Sequence, residues 1–423
     1  MTDNPDDTAS PPYSRRKFLV QLGAVGAAGL AAPLIRDVAV GAATPKAKGP
    51  TLLGKAKRTS PIKTIVVSIQ ENHSFDHYLG SYAALAKLPG GTTAAGYGIP
   101  KGWKNSNIAP FEFTTLTDNG YDPNHDWTST HAAYAGGKMT GFVGNGNNKN
   151  AMGYYTATQL PYYYSLLPEY TLCAEYFCGV LSETLPNRLV AYAGTSGGIT
   201  DDSAPANGSL TWPCITHLLG AAGIKYANYN FHAPSNYSYL CLFSGNNNRA
   251  YLNRTTTQFA SDCKNGTLPN VVWIEKQTPW DEHPPANIQQ GETMMEGIFK
   301  QIMAGPQWKK GEVAILHTYD EGGGFFDHRP PTELDGFGSG IRVPMIVISP
   351  IAKQGHIDTT YSDHASINKF IEHVYGLPTL ASVNHQFDKS TPPGLGQGGG
   401  KPFPPRDGNA AISNLTQCFS VSV

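Results

Sequence analysis

The run Thr64-Ile65-Val66-Val67-Ser68-Ile69 is continuous and β-branched, without the alternation that marks a half-solvated strand. It predicts a strand buried on both faces. Shorter runs at 224–228, 271–274, 313–318 and 343–348 repeat the pattern. Between them, apolar residues recur at helical spacing: Met294, Met295, Ile298 and Ile302 within 291–303, and Ile367, Phe370, Ile371 and Val374 within 366–375. Strands separated by helices predict an α/β fold, with a central, mostly parallel sheet flanked by helices. The regular pattern starts at Pro61 and fades near Leu377, which predicts a single large domain over 61–377. Residues 44–60 are basic and polar and read as a linker. Residues 378–423 carry Pro392-Pro393-Gly394 and Gly398-Gly399-Gly400 and read as a Gly/Pro-rich surface tail. No internal repeat is visible.

The first residues follow a different rule. Ser14-Arg15-Arg16-Lys17-Phe18-Leu19 precedes an apolar Ala/Gly-rich run from Val20 to Pro33, and Val40-Gly41-Ala42-Ala43 offers small residues suited to cleavage. This is the layout of a secretory signal with the paired arginines of the twin-arginine type. It predicts a signal peptide over 1–43, recognition by the twin-arginine export machinery, and a secreted or periplasmic product. The apolar run falls short of the ~20 residues that a membrane span requires, so no stable span is expected after cleavage.

Composition narrows the class. The chain has 31 Lys plus Arg against 32 Asp plus Glu, a net charge of −1. That balance excludes the concentrated positive field of a nucleic-acid binder. With 46 glycines and 32 prolines a coiled coil is excluded, and 40% hydrophobic residues suffice for a sizeable core. Six cysteines, an even number, suit disulfides in an oxidising compartment, but their pairing is not readable, and Cys173 and Cys178 equally suit buried free thiols.

Candidate chemistry gathers where strands end, the place at which ligands collect in open α/β sheets. One strand runs into Glu71-Asn72-His73-Ser74-Phe75-Asp76-His77. Another runs into Tyr319-Asp320-Glu321-Gly322-Gly323-Gly324-Phe325-Phe326-Asp327-His328. Carboxylates crowded together repel and call for a cation or protons between them, and oxygen-rich ligands suit a hard or borderline divalent ion. Ser182-Glu183-Thr184-Leu185-Pro186-Asn187-Arg188 supplies a hydroxyl nucleophile if a metal lowers its pKa. Asp281-Glu282-His283-Pro284-Pro285 and Pro123-Asn124-His125-Asp126-Trp127 each place a histidine in a loop, where acids and bases tend to sit. His364 reads as a cap or a supporting residue. Tyr154-Tyr155 and Tyr162-Tyr163-Tyr164 are either packing or a choline-binding mouth through cation–π contact.

Together these segments resemble the bacterial phosphoesterases, a family that includes phospholipases C of the non-haemolytic type and a group of acid phosphatases within the alkaline-phosphatase-like superfamily. Residues 71–77 resemble its E-N-R-S-F-D-H motif, 184–188 its T-x-P-N-R motif, and 281–284 its D-H-P segment. Residues 319–328 resemble Y-D-E-x-G-G-x-x-D-H, while Arg342-Val343-Pro344 and Ser349-Pro350 resemble its R-V-P and S-P stretch. The order is the family's, across 61–377. His73, Glu183 and Arg329 depart from its usual arginine, proline and valine.

The resemblance implies a single alkaline-phosphatase-like domain and an exported hydrolase of phosphoric esters. It implies one divalent metal (Ca, Mn, Zn or Fe) held by Glu71, Asn72, Asp320 and Glu321 beside Thr184. Thr184 attacks phosphorus and forms a phosphothreonine. His283 protonates the leaving oxygen. His125 and His328 bind phosphoryl oxygens or activate the second-step water, and Asn72 and Arg188 touch substrate, Arg188 doubling as a structural partner of a strand-end carboxylate. The expected activity is a phospholipase C acting on phospholipid. The alternatives are an acid phosphatase on small phosphate esters at the same site, or an exported binding protein without turnover. A sulfatase is disfavoured because Thr184 stands where those enzymes carry cysteine.

Overall fold

The computed structural model describes residues 60–203, 205–233, 237–246, 249–387 and 404–423. The expected export signal, nearly all of the linker, and the Gly/Pro stretch at 392–400 lie outside the described residues.

An eight-stranded sheet forms the centre. Its strands in chain order are β1 (Thr64–Gln70), β2 (Thr171–Cys173), β3 (Tyr226–Phe231), β4 (Arg254–Thr255), β5 (Val271–Lys276), β6 (Val313–Tyr319), β7 (Met345–Ile348) and β8 (Ile357–Asp358). They lie side by side as β8-β2-β7-β6-β1-β5-β3-β4. Only β7 runs against its neighbours β6 and β2; the other pairs are parallel. Every residue of β1, β5 and β6 is buried, as their unbroken apolar runs require of strands covered on both faces.

The register sets the site. Gln70 pairs with Tyr319 across β1 and β6, so Glu71 and Asp320 leave the sheet side by side. β5 adjoins β1 on the other side, and the chain after it supplies 281–284. The flanking helices include α1 (Phe75–Tyr78), α2 (Trp127–Tyr134), α3 (Pro161–Leu166), α4 (Thr184–Ala193), α5 (Ile288–Ala304) and α6 (Ala365–Tyr375). All ten residues of α4 are buried, and it packs against α6, where Asn368 Nδ2 donates to Val190 O at 3.1 Å. Pro186 does not break α4, because in the first helical turn its missing N–H has no intrahelical acceptor to lose.

The reading of 378–423 as a surface tail is corrected over 404–423. Ile412, Leu415, Cys418 and Phe419 are buried there, and Phe419 stacks on Phe370 of α6 at 5.3 Å between centroids. Arg406, also buried, pairs with Asp335 at 2.7 Å and donates to Gly179 O at 2.6 Å. Sparse apolar residues spaced among polar ones make this docking invisible to a periodicity argument. No helix among the described residues is long and apolar enough to cross a membrane.

Candidate active site

Thr184 is the first residue of α4 and is buried. Its Oγ1 donates to Glu71 Oε2 at 3.3 Å. The other Glu71 oxygen accepts from Arg188 Nη2 at 2.6 Å. Arg188, one turn along α4, also donates through Nε to Asp320 Oδ2 at 3.2 Å and lies 3.8 Å from Glu275 Oε2. One guanidinium thus ties the ends of β1, β6 and β5 to the helix that carries the hydroxyl. It is 1% exposed, so the expectation that Arg188 contacts substrate gives way to its positioning role.

Asn72 sits at φ 65°, a left-handed conformation that asparagine tolerates. Its backbone N–H donates to Asp320 Oδ1 at 3.0 Å. Its Nδ2 lies 3.1 Å from His125 Nε2 and 3.2 Å from His283 Nε2. Each imidazole is held from behind, His125 Nδ1 at 2.6 Å from Pro123 O and His283 Nδ1 at 2.7 Å from Pro284 O. A carbonyl only accepts, so Nδ1 carries the proton and Nε2 faces the site. Glu321 Oε1 lies 3.6 Å from His125 Nε2, while its Oε2 accepts from Gly323 N at 2.6 Å. Gly323 is required at that place: with φ 61°, a Cβ there falls 2.0 Å from Asn72 O.

Two buried oxygens at this centre, Asn72 Oδ1 and Glu321 Oε1, accept no hydrogen bond. Burial, then the charges of Asp320 and Glu71, push the Glu321 carboxyl well above the usual range. Three crowded carboxylates face a single guanidinium, so the donor set fits a hard divalent cation, which would complete both orphaned oxygens. Burial lowers the pKa of both histidines, but acidic neighbours outweigh it. Asp122 leads for each, with Glu183 and Asp202 around His125 and Glu71 and Asp281 around His283, and both end above the ordinary value.

The structure gathers Glu71, Asn72, Thr184, Arg188, Asp320, Glu321, His125 and His283. It places His328 elsewhere. That ring is buried with Nδ1 2.5 Å from Asp76 Oδ2 and Nε2 3.0 Å from Gly96 O. Asp76 and Asp327 are clamped by Arg342 at 2.9 and 3.1 Å. With both nitrogens engaged in this network, the expected phosphoryl contact of His328 is replaced by a structural one. His73 is likewise behind the site, stacked on Tyr78 at 4.1 Å and bonded through Nε2 to Glu282 O at 2.8 Å. Tyr155 and Tyr163 are buried and bonded to Asp118 and Glu282, so those two line no mouth.

Three other groups bring ligand atoms within 4.8 Å of one another among the described residues: His73, His77 and Asp118; Cys173, Asp358 and Cys418; Asp76, Asp327 and His328. None includes Thr184 or its carboxylate partners.

Glu282 went unrecognised in the sequence. Its carboxylate accepts from Gln70 Nε2 at 2.6 Å, Tyr319 Oη at 2.7 Å, Tyr78 Oη at 3.1 Å and Tyr163 Oη at 2.5 Å. These bonds hold it at φ 69° and set the next residue, His283. Gly291 makes room, since a Cβ there falls 2.2 Å from Glu282 Cγ. Only the placing of an acid between Asp281 and His283 hinted at this.

A cavity of about 310 Å³ beside Thr184 is lined by Asp126, Trp127, Thr128, Glu183, Thr200, Asp201, Asp202 and Ser203. Asp202 Oδ1 accepts from Leu185 N at 2.6 Å, and burial with the Glu183 charge raises its pKa well above normal. A wider cavity of about 750 Å³, around Tyr226, Tyr251 and Arg254, contains none of these residues.

A model of the phosphoesterase family matches residues 62–378. Phospholipase C A of Mycobacterium tuberculosis is 29% identical, over 91% of this chain and 88% of its own. Non-specific phospholipase C3 of Arabidopsis thaliana is 28% identical, over 80% and 74%. Among solved structures, a protein in the alkaline phosphatase superfamily from Vibrio parahaemolyticus is 10% identical over 85% of this chain and 76% of its own, with a TM-score of 0.39.

Proposed function

Because the chain belongs to the phosphoesterase family, and is therefore a hydrolase of phosphoester bonds, we propose that it is an exported phospholipase C working through a phosphothreonine. The observation that carries this reading is the convergence on Thr184: a carboxylate on its hydroxyl, and two imidazoles turned toward one asparagine beside it. In this account Thr184 Oγ passes its proton to Glu71 Oε2, to which it is bonded, and attacks phosphorus in line as the bond to the diacylglycerol oxygen breaks. His283, whose pKa the surrounding acidic groups raise, protonates that oxygen. His283, left neutral by that transfer, then takes a proton from water, which attacks the same phosphorus; the bond to Thr184 breaks, Thr184 recovers its proton from Glu71, and the phosphorylated head group leaves, with His125 binding a phosphoryl oxygen. A divalent ion held by Glu71, Asn72, Asp320 and Glu321 would supply positive field at the nucleophile and at the phosphoryl oxygens. Arg188 keeps Glu71 and Asp320 at their stations.

Phospholipid is favoured over a small monoester for two reasons. Relatives covering most of the chain carry the name phospholipase C. The cavity beside Thr184 presents carboxylates and the indole of Trp127, which suit a cationic head group. Export through the twin-arginine route rests on Arg15, Arg16 and the apolar run after them.

A substrate panel tests the reading. Purified protein is given phosphatidylcholine, phosphatidylglycerol and a chromogenic phosphomonoester, with and without chelator. Diacylglycerol released fastest from phosphatidylcholine, and loss of all activity on chelation, are expected. A monoester turned over much faster than any lipid overturns the phospholipase assignment in favour of an acid phosphatase.

A further inference from the structure

We propose that Cys173 and Cys418 form a disulfide that staples the C-terminal segment to β2, the second strand from one edge of the central sheet. Their sulfurs lie 3.7 Å apart, although 245 positions separate them in the chain. Both are fully buried. Cys173 ends β2, and Cys418 is fixed opposite by its backbone. Its carbonyl accepts from Lys353 N at 2.9 Å and from Thr171 Oγ1 at 3.0 Å. The neighbouring residues are anchored too, with Ser420 N donating to Ile351 O at 2.9 Å and Phe419 stacked on Phe370. The two thiols are therefore presented to each other by structure on both sides.

A metal is the competing occupant, since Asp358 stands near both sulfurs. Its oxygens are taken: Oδ1 accepts from Thr360 Oγ1 at 2.8 Å and Oδ2 from Gln417 Nε2 at 2.8 Å. Two buried sulfurs in contact, beside a carboxylate whose oxygens are already bonded, suit a disulfide better than a metal.

The exchange balances with a small-molecule disulfide such as oxidised glutathione. The two protein thiols lose two hydrogens and form one S–S bond, and the oxidant is reduced to two thiols. Because both sulfurs are buried, the exchange takes place while the C-terminal segment is undocked. The bond then closes a long loop and prevents the segment from peeling off the core.

The test uses the full chain, produced under oxidising conditions with oxidised glutathione present. The protein is denatured without reductant, alkylated, digested and mapped by mass spectrometry. Alkylation of Cys178, Cys214, Cys241 and Cys263 alone, with a peptide pair joined through Cys173 and Cys418, is expected. Reductant should lower Tm by roughly 5 °C. Cys418→Ser should lose that reductant sensitivity, and Cys214→Ser should keep it. Six alkylated cysteines, a bond from Cys173 to another cysteine, or stoichiometric zinc retained by Cys173 and Cys418 each overturn the proposal.

Discussion

Arg188 shows how much of the site depends on one side chain. Its fork reaches Glu71 and Asp320 from two different nitrogens, a geometry that a lysine's single ammonium cannot copy. Arg188→Lys is expected to lower kcat by about ten- to a hundred-fold with little change in KM, since the carboxylates lose their stations while the head-group cavity remains; steady-state kinetics on one lipid substrate checks this. His283 acts more directly. Its removal in His283→Ala should cost about 10²- to 10⁴-fold, the range for a general acid, with a smaller loss on a substrate whose leaving group needs no proton. Equal losses on good and poor leaving groups contradict the assignment. His328 belongs to a different class, because its partners are Asp76 and a backbone carbonyl. Its mutation should lower Tm before it lowers the rate of the protein that stays folded.

At the scale of elements, the long central strands were legible because burial on both faces leaves an unbroken apolar run. The short strands Thr171–Cys173, Arg254–Thr255 and Ile357–Asp358 were not, since two or three residues carry no period. Helix α4 was hidden by Pro186, which reads as a turn until its place in the first helical turn is known. The docked end of the chain was hidden behind the Gly/Pro stretch that precedes it. Its contribution can be measured. Truncation before Pro404 removes Phe419 from Phe370 and Arg406 from Asp335, and uncovers apolar core. The truncated protein is expected to melt well below the full chain and to aggregate. An unchanged Tm would mean the docking contributes nothing.

The whole molecule carries an acid liability. Burial holds His73, His77, His317 and His364 down to about 3. These rings are neutral in the fold and take protons on unfolding, so the unfolded chain binds more protons between about 3 and the ordinary 6.5. The share of stability that rests on these four rings is therefore complete above about 6.5 and falls as pH drops through that window. His317 isolates the effect, because neither ring nitrogen has a hydrogen-bond partner and it packs among Tyr163 and Phe299. His317→Phe should flatten the acid side of the Tm profile and gain more at pH 5 than at pH 8; parallel profiles would refute this. At the same scale, the site was only partly legible in the sequence. Motif residues next to strand ends were readable because parallel neighbours discharge their chains at one edge. Glu282 was not, for its partner Gln70 lies 212 positions away. An Asp-His pair at a strand end looked the same whether it faced substrate or, as Asp327-His328 does, the core.

The central claim is that Thr184 is the attacking group. It is tested by quenching turnover of phosphatidylcholine in acid within the first cycles and sequencing the modified peptide by mass spectrometry. The account predicts a phosphorylated head group esterified to Thr184, absent from Thr184→Ala, which also fails to hydrolyse the lipid. A label on another residue, or a Thr184→Ala protein that hydrolyses lipid at the wild-type rate, would contradict it.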